Sequence, residues 1–462
     1  MPRVTVSFGE FLAVWLRVAA LSFGGPAGQI AVMHRIIVDE KKWVDEQRFL
    51  HALNYCMLLP GPEAQQLATY IGWLMRGMPG GLIAGGLFVL PGFLSILALS
   101  IVYAVYHDTP VVQAIFFGLQ AAILAVVVEA VVRIGHRVLK NRVMVAIAAA
   151  AFVAVFFFRV PFPYLVLAAG LIGLIGGQVR PDLFHVIKGH GSSPAESGEH
   201  VIDYNAPHTR PNTWRAATIL VVFLSLWIGP LVAMQERLGR DHVYVQEGWF
   251  FSKVSLVTFG GAYAVLPYVA EEAEKTYSWV TPEEMMAGLG MAETTPGPLI
   301  QVVQFVGFLG GYKSEFREHN QLWPALRAGL IGSLIVNWVT YLPCFLWIFL
   351  GAPYIERLRG QKEFSCALSA ITAAVVGVVL NLAVWFSLKA VFGPLTDVQY
   401  GPLVLHAPTG LVDPSVPVHF SWATLLMAII SAIALFRYKR GVIEVLLAAV
   451  AVGALFYACG AR

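Results

Sequence analysis

Charge is what this chain has least of. Lys, Arg, Asp and Glu make up 13% of its 462 residues, while 58% are apolar. Soluble domains carry about 25% charged and about 45–50% apolar residues. A shift of that size in both directions excludes a soluble enzyme, a nucleic-acid binder and a disordered scaffold. The 31 basic and 28 acidic residues leave a formal charge of +3, which points to no polyanionic partner. Cysteine is scarce too. Cys56, Cys344, Cys366 and Cys459 show no CxxC spacing and all lie in or beside apolar runs. That excludes a disulfide framework or a thiolate metal site and leaves them as small core residues. There is no haem attachment motif and no dinucleotide fingerprint, so no cofactor and no metal are expected, and a membrane-embedded reductase is disfavoured. The start lacks a basic stretch followed by a small-residue cleavage site, so the first apolar run is not expected to be a removable signal.

What is present is a succession of apolar runs, and a spanning helix needs about 20 such residues. The runs fall near 10–33, 48–75, 79–106, 110–132, 143–158 and 161–179, then 214–234, then 247–269, 283–311, 323–351, 364–388, 419–436 and 441–458. A polar stretch, 180–213, with Gly189, Gly191, Ser192, Ser193, Pro194 and several histidines, reads as a linker without a packed core. Residues 390–418 read as a Pro/Gly-rich loop with no Lys or Arg. The expected fold class is an all-α polytopic membrane protein.

The chain also repeats itself. Adding 236 carries Arg17 onto Lys253, Ser22 onto Thr258, Phe23-Gly24-Gly25 onto Phe259-Gly260-Gly261 and Trp43-Val44 onto Trp279-Val280. The same step carries Pro60-Gly61-Pro62 onto Pro296-Gly297-Pro298 and Gln65 onto Gln301. Past an insertion the step becomes 252, taking Pro91 onto Pro343 and Gln120-Ala121-Ala122 onto Thr372-Ala373-Ala374. Three regions follow: an N-terminal repeat, 1–179; a linker with one connecting helix, 180–246; and a C-terminal repeat, 247–462. About six segments per repeat and one extra helix place an odd number of crossings between equivalent positions, so the second repeat is expected upside down. Inverted repeats of this kind mark alternating-access transporters. Lys/Arg counting expects a cytoplasmic N-terminus, with Arg133, Arg137, Lys140 and Arg142 inside. Arg35, Lys41, Lys42 and Arg48 disobey that rule unless the first two segments are re-entrant, and both topologies stay open.

Two motifs break the apolar runs. Proline removes a donor and clashes with the preceding turn, so Pro-Gly-Pro cannot continue a helix. Broken backbone at membrane depth is tolerated only where protein or a water-filled cavity surrounds it. Phe23, Gly24, Gly25, Pro60, Gly61, Pro62 and their counterparts Phe259, Gly260, Gly261, Pro296, Gly297, Pro298 are therefore candidate binding residues. Restarting half-helices expose N–H groups that suit an anion; packing kinks are the alternative. Arg17 and Lys253, in apolar runs, supply candidate charge, with snorkelling as the alternative. Gln65 and Gln301 supply candidate neutral donors, as do Gln66 and Gln304 with less support. Glu63 and Glu293 are coupling candidates for a proton or structural partners of the cations. Glu129, whose counterpart is Asn381, reads as structural, and Trp43 and Trp279 read as interfacial anchors. These residues imply a small-anion transporter of inverted-repeat design.

The runs Phe23-Gly24-Gly25-Pro26-Ala27-Gly28-Gln29-Ile30, Leu58-Leu59-Pro60-Gly61-Pro62-Glu63-Ala64-Gln65-Gln66, Thr258-Phe259-Gly260-Gly261-Ala262-Tyr263 and Glu293-Thr294-Thr295-Pro296-Gly297-Pro298 resemble the chromate ion transporter family in its long, two-domain form. The resemblance covers both halves; the histidine-containing linker at 180–213 departs from it. It implies a bacterial inner-membrane protein, not an enzyme, that exports chromate and confers chromate resistance. Secondary active efflux is the expected mechanism. A passive anion channel, or a carrier of another oxyanion such as sulfate, is the alternative. Expected partners are chromate and sulfate, the lipid bilayer and a second copy of the chain in a homodimer, with no nucleic acid.

Overall fold

The computed structural model describes residues 6–184, 207–259, 261–354, 362–413, 415–417 and 420–458. Gly260, Cys459 and most of the linker, 185–206, lie outside the described residues. The described residues are helical almost throughout. The helices are α1 (Phe8–Leu21), α2 (Gly25–His34), α3 (Glu46–Cys56), α4 (Glu63–Tyr106), α5 (Pro110–Val138), α6 (Arg142–Phe156), α7 (Phe162–Val179) and the short α8 (Pro181–Phe184). After the linker come α9 (Thr213–Leu238), α10 (Val243–Val257), α11 (Ala262–Glu271), α12 (Pro282–Thr294), α13 (Val302–His319), α14 (Leu322–Gly351) and α15 (Lys362–Phe392). A hairpin of β1 (Leu395–Tyr400) and β2 (Leu403–Pro408), a short α16 (Thr409–Val412), α17 (Trp422–Phe436) and α18 (Val442–Ala458) complete it.

Helix starts follow local chemistry. Ser7, Asp45, Asn141 and Asn212 each accept an amide hydrogen from the first turn they precede, the usual answer to orphan N–H groups. At α12, Thr281 and Glu284 form a reciprocal capping box: the Glu284 amide donates to Thr281 Oγ1 at 3.2 Å and the Thr281 amide to Glu284 Oε2 at 2.7 Å. Among the described residues six helices are long and apolar enough to cross a membrane: Glu63–Tyr106, Pro110–Val138, Phe162–Val179, Thr213–Leu238, Leu322–Tyr354 and Ser365–Phe392. Arg142–Phe156, Trp422–Phe436 and Val442–Phe456 are shorter apolar helices. The chain is a multi-pass membrane protein.

Several expected single segments resolve into pairs. The runs at 10–33, 247–269 and 283–311 each hold two short helices, because Gly and Pro stop them midway. The run at 48–75 is split too, into α3 and the start of α4, and α4 then continues through 79–106, interrupted at Arg76 and Gly77, whose φ of −141° and 64° are not helical. The stretch read as a loop, 390–418, contains the antiparallel hairpin, with Thr396 opposite Ala407 and Val398 opposite Leu405.

Residues fall into two compact units, each drawn from both halves of the sequence: 1–98, 188–262 and 295–361 form the first; 99–187, 263–294 and 362–462 form the second. In the first, α13 and α14 pack closely, with α10 and α9 against α14. The second is built around α15, which packs on α5, α6 and α7, while α17 and α18 lie on α5. Its hairpin is tied to the α6–α7 turn, where the Val404 amide donates to Phe157 O at 2.8 Å and Arg159 pairs with Asp397.

Trp43 and Trp279 are buried, 2% and 3% exposed, and so are not interfacial anchors. Each follows a π-helical turn, Arg35–Glu40 or Glu272–Thr276. There the Trp43 amide donates to Ile37 O at 2.9 Å and the Trp279 amide to Ala273 O at 2.8 Å. Burial is favoured by ring contacts, Trp43 stacking on Phe11 and Trp279 on Tyr277.

Candidate functional site

At the first break α1 stops at Leu21. The Ser22 hydroxyl turns back to donate to Val18 O at 2.6 Å, and at the corresponding place in the second half Thr258 donates to Val254 O at 2.6 Å. Gly24 and Gly25 then take φ of 80° and 72°, a left-handed conformation that favours glycine. The α2 helix that restarts beyond them has Pro26 in its first turn and no side-chain cap. Its leading N–H groups therefore present partial positive charge. Phe23 and Phe259 are half-buried and Gly261 is buried.

The Pro-Gly-Pro turns lie between α3 and α4 and between α12 and α13. Gly61 and Gly297 adopt φ of 122° and 103°. Each turn is tied to the other half's break: the Gly61 amide donates to Thr258 O at 2.7 Å, and the Gly297 amide to Ser22 O at 2.9 Å. These bonds exchange under the step of 236. The first unit thus brings Phe23, Gly24, Gly25, Pro60, Gly61, Pro62, Phe259, Gly261, Pro296, Gly297 and Pro298 into one crossed assembly. A methyl on Gly61 would meet Cys344 Sγ at 2.6 Å, and one on Gly297 would meet Gly92 Cα at 3.1 Å. Cys344 and Gly92 are themselves related by the step of 252, so the backing is matched as well.

Glutamines line this assembly. Gln65 and Gln301 are buried; Gln65 donates to Thr69 Oγ1 at 3.0 Å and Gln301 to Val89 O at 3.0 Å. Gln66 donates to Pro60 O at 2.8 Å and Gln304 to Phe93 O at 2.9 Å. The amide oxygens of Gln65, Gln66 and Gln304 are buried without a hydrogen-bond partner. Gln29, present in the sequence motif but given no role there, donates to Gly297 O at 2.5 Å.

The charged candidates separate. Arg17 is exposed and grips Glu40 at 2.6 and 3.3 Å, so its charge is already matched. Lys253 is exposed, and among the described residues no carboxylate pairs with it. Glu63 is buried in the first turn of α4, where a carboxylate answers the helix dipole. Glu293 belongs to the second unit and accepts from the Tyr263 hydroxyl; Glu129 and Arg133, themselves paired at 3.5 Å, lie near enough to act on it electrostatically. Tyr263 was visible in the motif that follows the second break, but nothing in its spacing revealed its carboxyl partner. Among the described residues no group of acidic, His or Cys side chains could hold a metal ion.

The family described as chromate transporter matches residues 9–174 and 245–454. A chromate transport protein of Pseudomonas aeruginosa is 29% identical over 376 residues, covering 81% of this chain and 80% of its own. A chromate transport protein of Cupriavidus metallidurans is 25% identical over 387 residues, covering 84% of each. An uncharacterized transporter of Bacillus subtilis is 28% identical over 166 residues, which is 35% of this chain but 92% of that protein. No solved structure matches. With both halves matched, and with relatives named as transport proteins rather than enzymes, this chain belongs to the chromate transporter family.

Proposed function

We propose that this protein is a secondary active exporter that carries chromate out of the cytoplasm across the inner membrane, from a cytoplasmic N-terminus, and so confers chromate resistance. Sulfate, a tetrahedral dianion of the same shape, is the expected competitor. The observation that carries the reading is the crossed pair of hydrogen bonds linking each Pro-Gly-Pro turn to the other half's break, in a member of this family. Two halves, 1–179 and 247–462, act as inverted repeats joined by the linker and α9. Support comes from the exchange symmetry of those bonds and from a relative whose match, 166 residues, is no longer than one half. Alternating access then moves the repeats about a fixed site.

In this reading the breaks supply backbone donors and Gln65 and Gln301 the side-chain donors. Gln65 is the better placed. Its amide can turn over and still bond Thr69 when that hydroxyl gives up its bond to the Gln65 carbonyl, which would aim an NH₂ at the place now held by its unpartnered oxygen. Gln66 and Gln304 cannot, because their NH₂ groups already face carbonyls. Lys253 supplies unmatched charge, while Arg17 does so only when an anion displaces Glu40. Glu63 and Glu293 are carboxyls that a coupling proton could use.

Labelled chromate flux into inside-out vesicles tests the function. Energy-dependent accumulation that excess sulfate suppresses is expected. Flux that follows only chromate's own electrochemical gradient at fixed voltage would make the protein a channel. Absence of chromate flux with folded protein in the vesicles would remove the substrate.

A further inference from the structure

Another buried carboxyl, Glu247 of α10, takes no part in the assembly above. It is wholly buried, and neither oxygen has a hydrogen bond of good geometry; the one donor that acts on it is the Gly311 backbone N–H. It lies where α13 and α14 approach most closely. A methyl on Gly332 would meet Gly307 O at 2.3 Å and Glu247 Oε2 at 2.9 Å, and one on Gly311 would meet Ala328 O at 2.5 Å. The glycines therefore bring the two backbones together and leave room for this carboxyl. The groups around it are uncharged or distant. On its own helix the nearest titratable side chain is Tyr244, whose hydroxyl donates to Ala328 O at 3.4 Å. Glu315 of α13 and Arg327 of α14 act on Tyr244, and no charged side chain acts on Glu247. The α9 helix offers α10 Trp227, Leu231 and Gln235, none of them titratable.

Packing does not require an acid at this position. The counterpart in the first half, one step of 236 earlier, is Phe11, also wholly buried. Hydrocarbon satisfies the fold there, and an ionised carboxylate with no partner is one of the costliest things to bury. A carboxyl kept in such a place is neutral when enclosed and can ionise only when water reaches it. Its surroundings also connect to the crossed assembly. Ser333, next to Gly332, donates to Gln304 O at 3.4 Å, and Gln304 lies one turn after Gln301.

We propose that Glu247 is the proton-binding site that couples transport to the proton gradient, taking up one proton as its carboxylate becomes a carboxylic acid and releasing it when solvent gains access. This rests on the transporter reading, and it moves the coupling role from Glu63 and Glu293 to a residue present in one half only. The single site makes the two halves unequal, and the imposed proton gradient would set the direction of net transport.

The test reconstitutes the full chain and Glu247→Gln into liposomes. Gln keeps the shape and removes the proton; Glu247→Phe, copying the counterpart, is the second variant should Gln fail to fold. The expected result is that counterflow exchange of chromate at equal pH persists while accumulation driven by a pH gradient falls more than tenfold. A second readout needs no substrate: the infrared carbonyl band of protonated carboxyls at neutral pH should shrink in the variant relative to the parent chain. An unchanged band, or pH-driven accumulation that survives in Glu247→Gln, overturns the proposal. So does failure of both variants to fold, since the carboxyl would then be structural. Parent protein that accumulates chromate with no response to a pH gradient also overturns it and leaves the function standing. Parent protein that moves no chromate removes the function, and the infrared comparison still judges Glu247.

Discussion

Two alanine substitutions in α4 separate the crossed assembly from the helix that supports it. At Gly92 an ideal Cβ would lie 1.7 Å from Gln301 Oε1 and 2.6 Å from Pro296 O. At Gly86, on the same helix, nothing lies within 4 Å. Each change gains about 1 kcal/mol of helix propensity. Gly92→Ala sets against this about 1–3 kcal/mol of overpacking. It also breaks the bond from Gln301 to Val89 O, worth about 1 kcal/mol. Gly92→Ala should therefore be destabilised by about 2 kcal/mol overall, and its chromate flux should fall more than tenfold because Gln301 and the Pro296 carbonyl must both move. Gly86→Ala should keep full flux and unfold at the same or a higher temperature. Thermal unfolding in detergent and vesicle flux read both. If the two alanines behave alike, the Pro-Gly-Pro turn does not rest on this close approach and the site is wrongly built.

The charge candidates differ in the same way. Lys253→Gln should weaken chromate binding about tenfold, or 1.4 kcal/mol, and by more than Arg17→Gln, since Glu40 already answers Arg17; competition isotherms with sulfate would rank them. Gln65→Leu should lower flux more than Gln66→Leu, because a turned Gln65 amide still meets a hydroxyl, on Thr69, while a turned Gln66 amide would set its oxygen against the Pro60 carbonyl; equal losses would end that assignment. The hairpin should respond to acid. His406 lies 2.5 Å from Asp397, which Arg159 also engages, and burial with Lys275 and Arg159 nearby lowers its pKa from the ordinary 6.5. A depressed histidine contributes stability that is full above its unfolded value and lost as pH falls through the folded one. Amide protection factors over 395–408, corrected for the intrinsic pH dependence of exchange, should therefore fall as pH drops below about 6.5, and His406→Gln should flatten that response.

The helix breaks were legible because proline and left-handed glycine act through their own covalent geometry, whatever surrounds them. Their counterparts were legible because one step of 236 aligned them without a gap. What the breaks touch was not. Nothing in the spacing of Gly61 and Thr258, or of Gly297 and Ser22, says that an amide of one meets a carbonyl of the other. The hairpin's alternation, Leu395 to Tyr400, was masked by the prolines and glycines around it, although Gly401-Pro402 marked the turn. Glu247 was passed over because it stands at the edge of an apolar run, where a charge reads as solvent-facing; only the glycine crossing of α13 and α14 encloses it. Arg17 shows the reverse. A cation in an apolar run suggested a receptor, and a carboxylate 23 residues on reaches back to hold it.

The crossed bonds make each half of this chain incomplete in a definite sense. The Gly61 amide finds its acceptor at Thr258 and the Gly297 amide at Ser22, so neither half contains the partner for its own turn. A chain cut in the linker would leave two fragments, each with an unanswered donor in its tightest bend and each holding the other's missing acceptor. Carrying both halves on one chain keeps each donor and its acceptor at a one-to-one ratio. Substitutions at Ser22 or Thr258 should be felt first by the turn at the far end of the sequence.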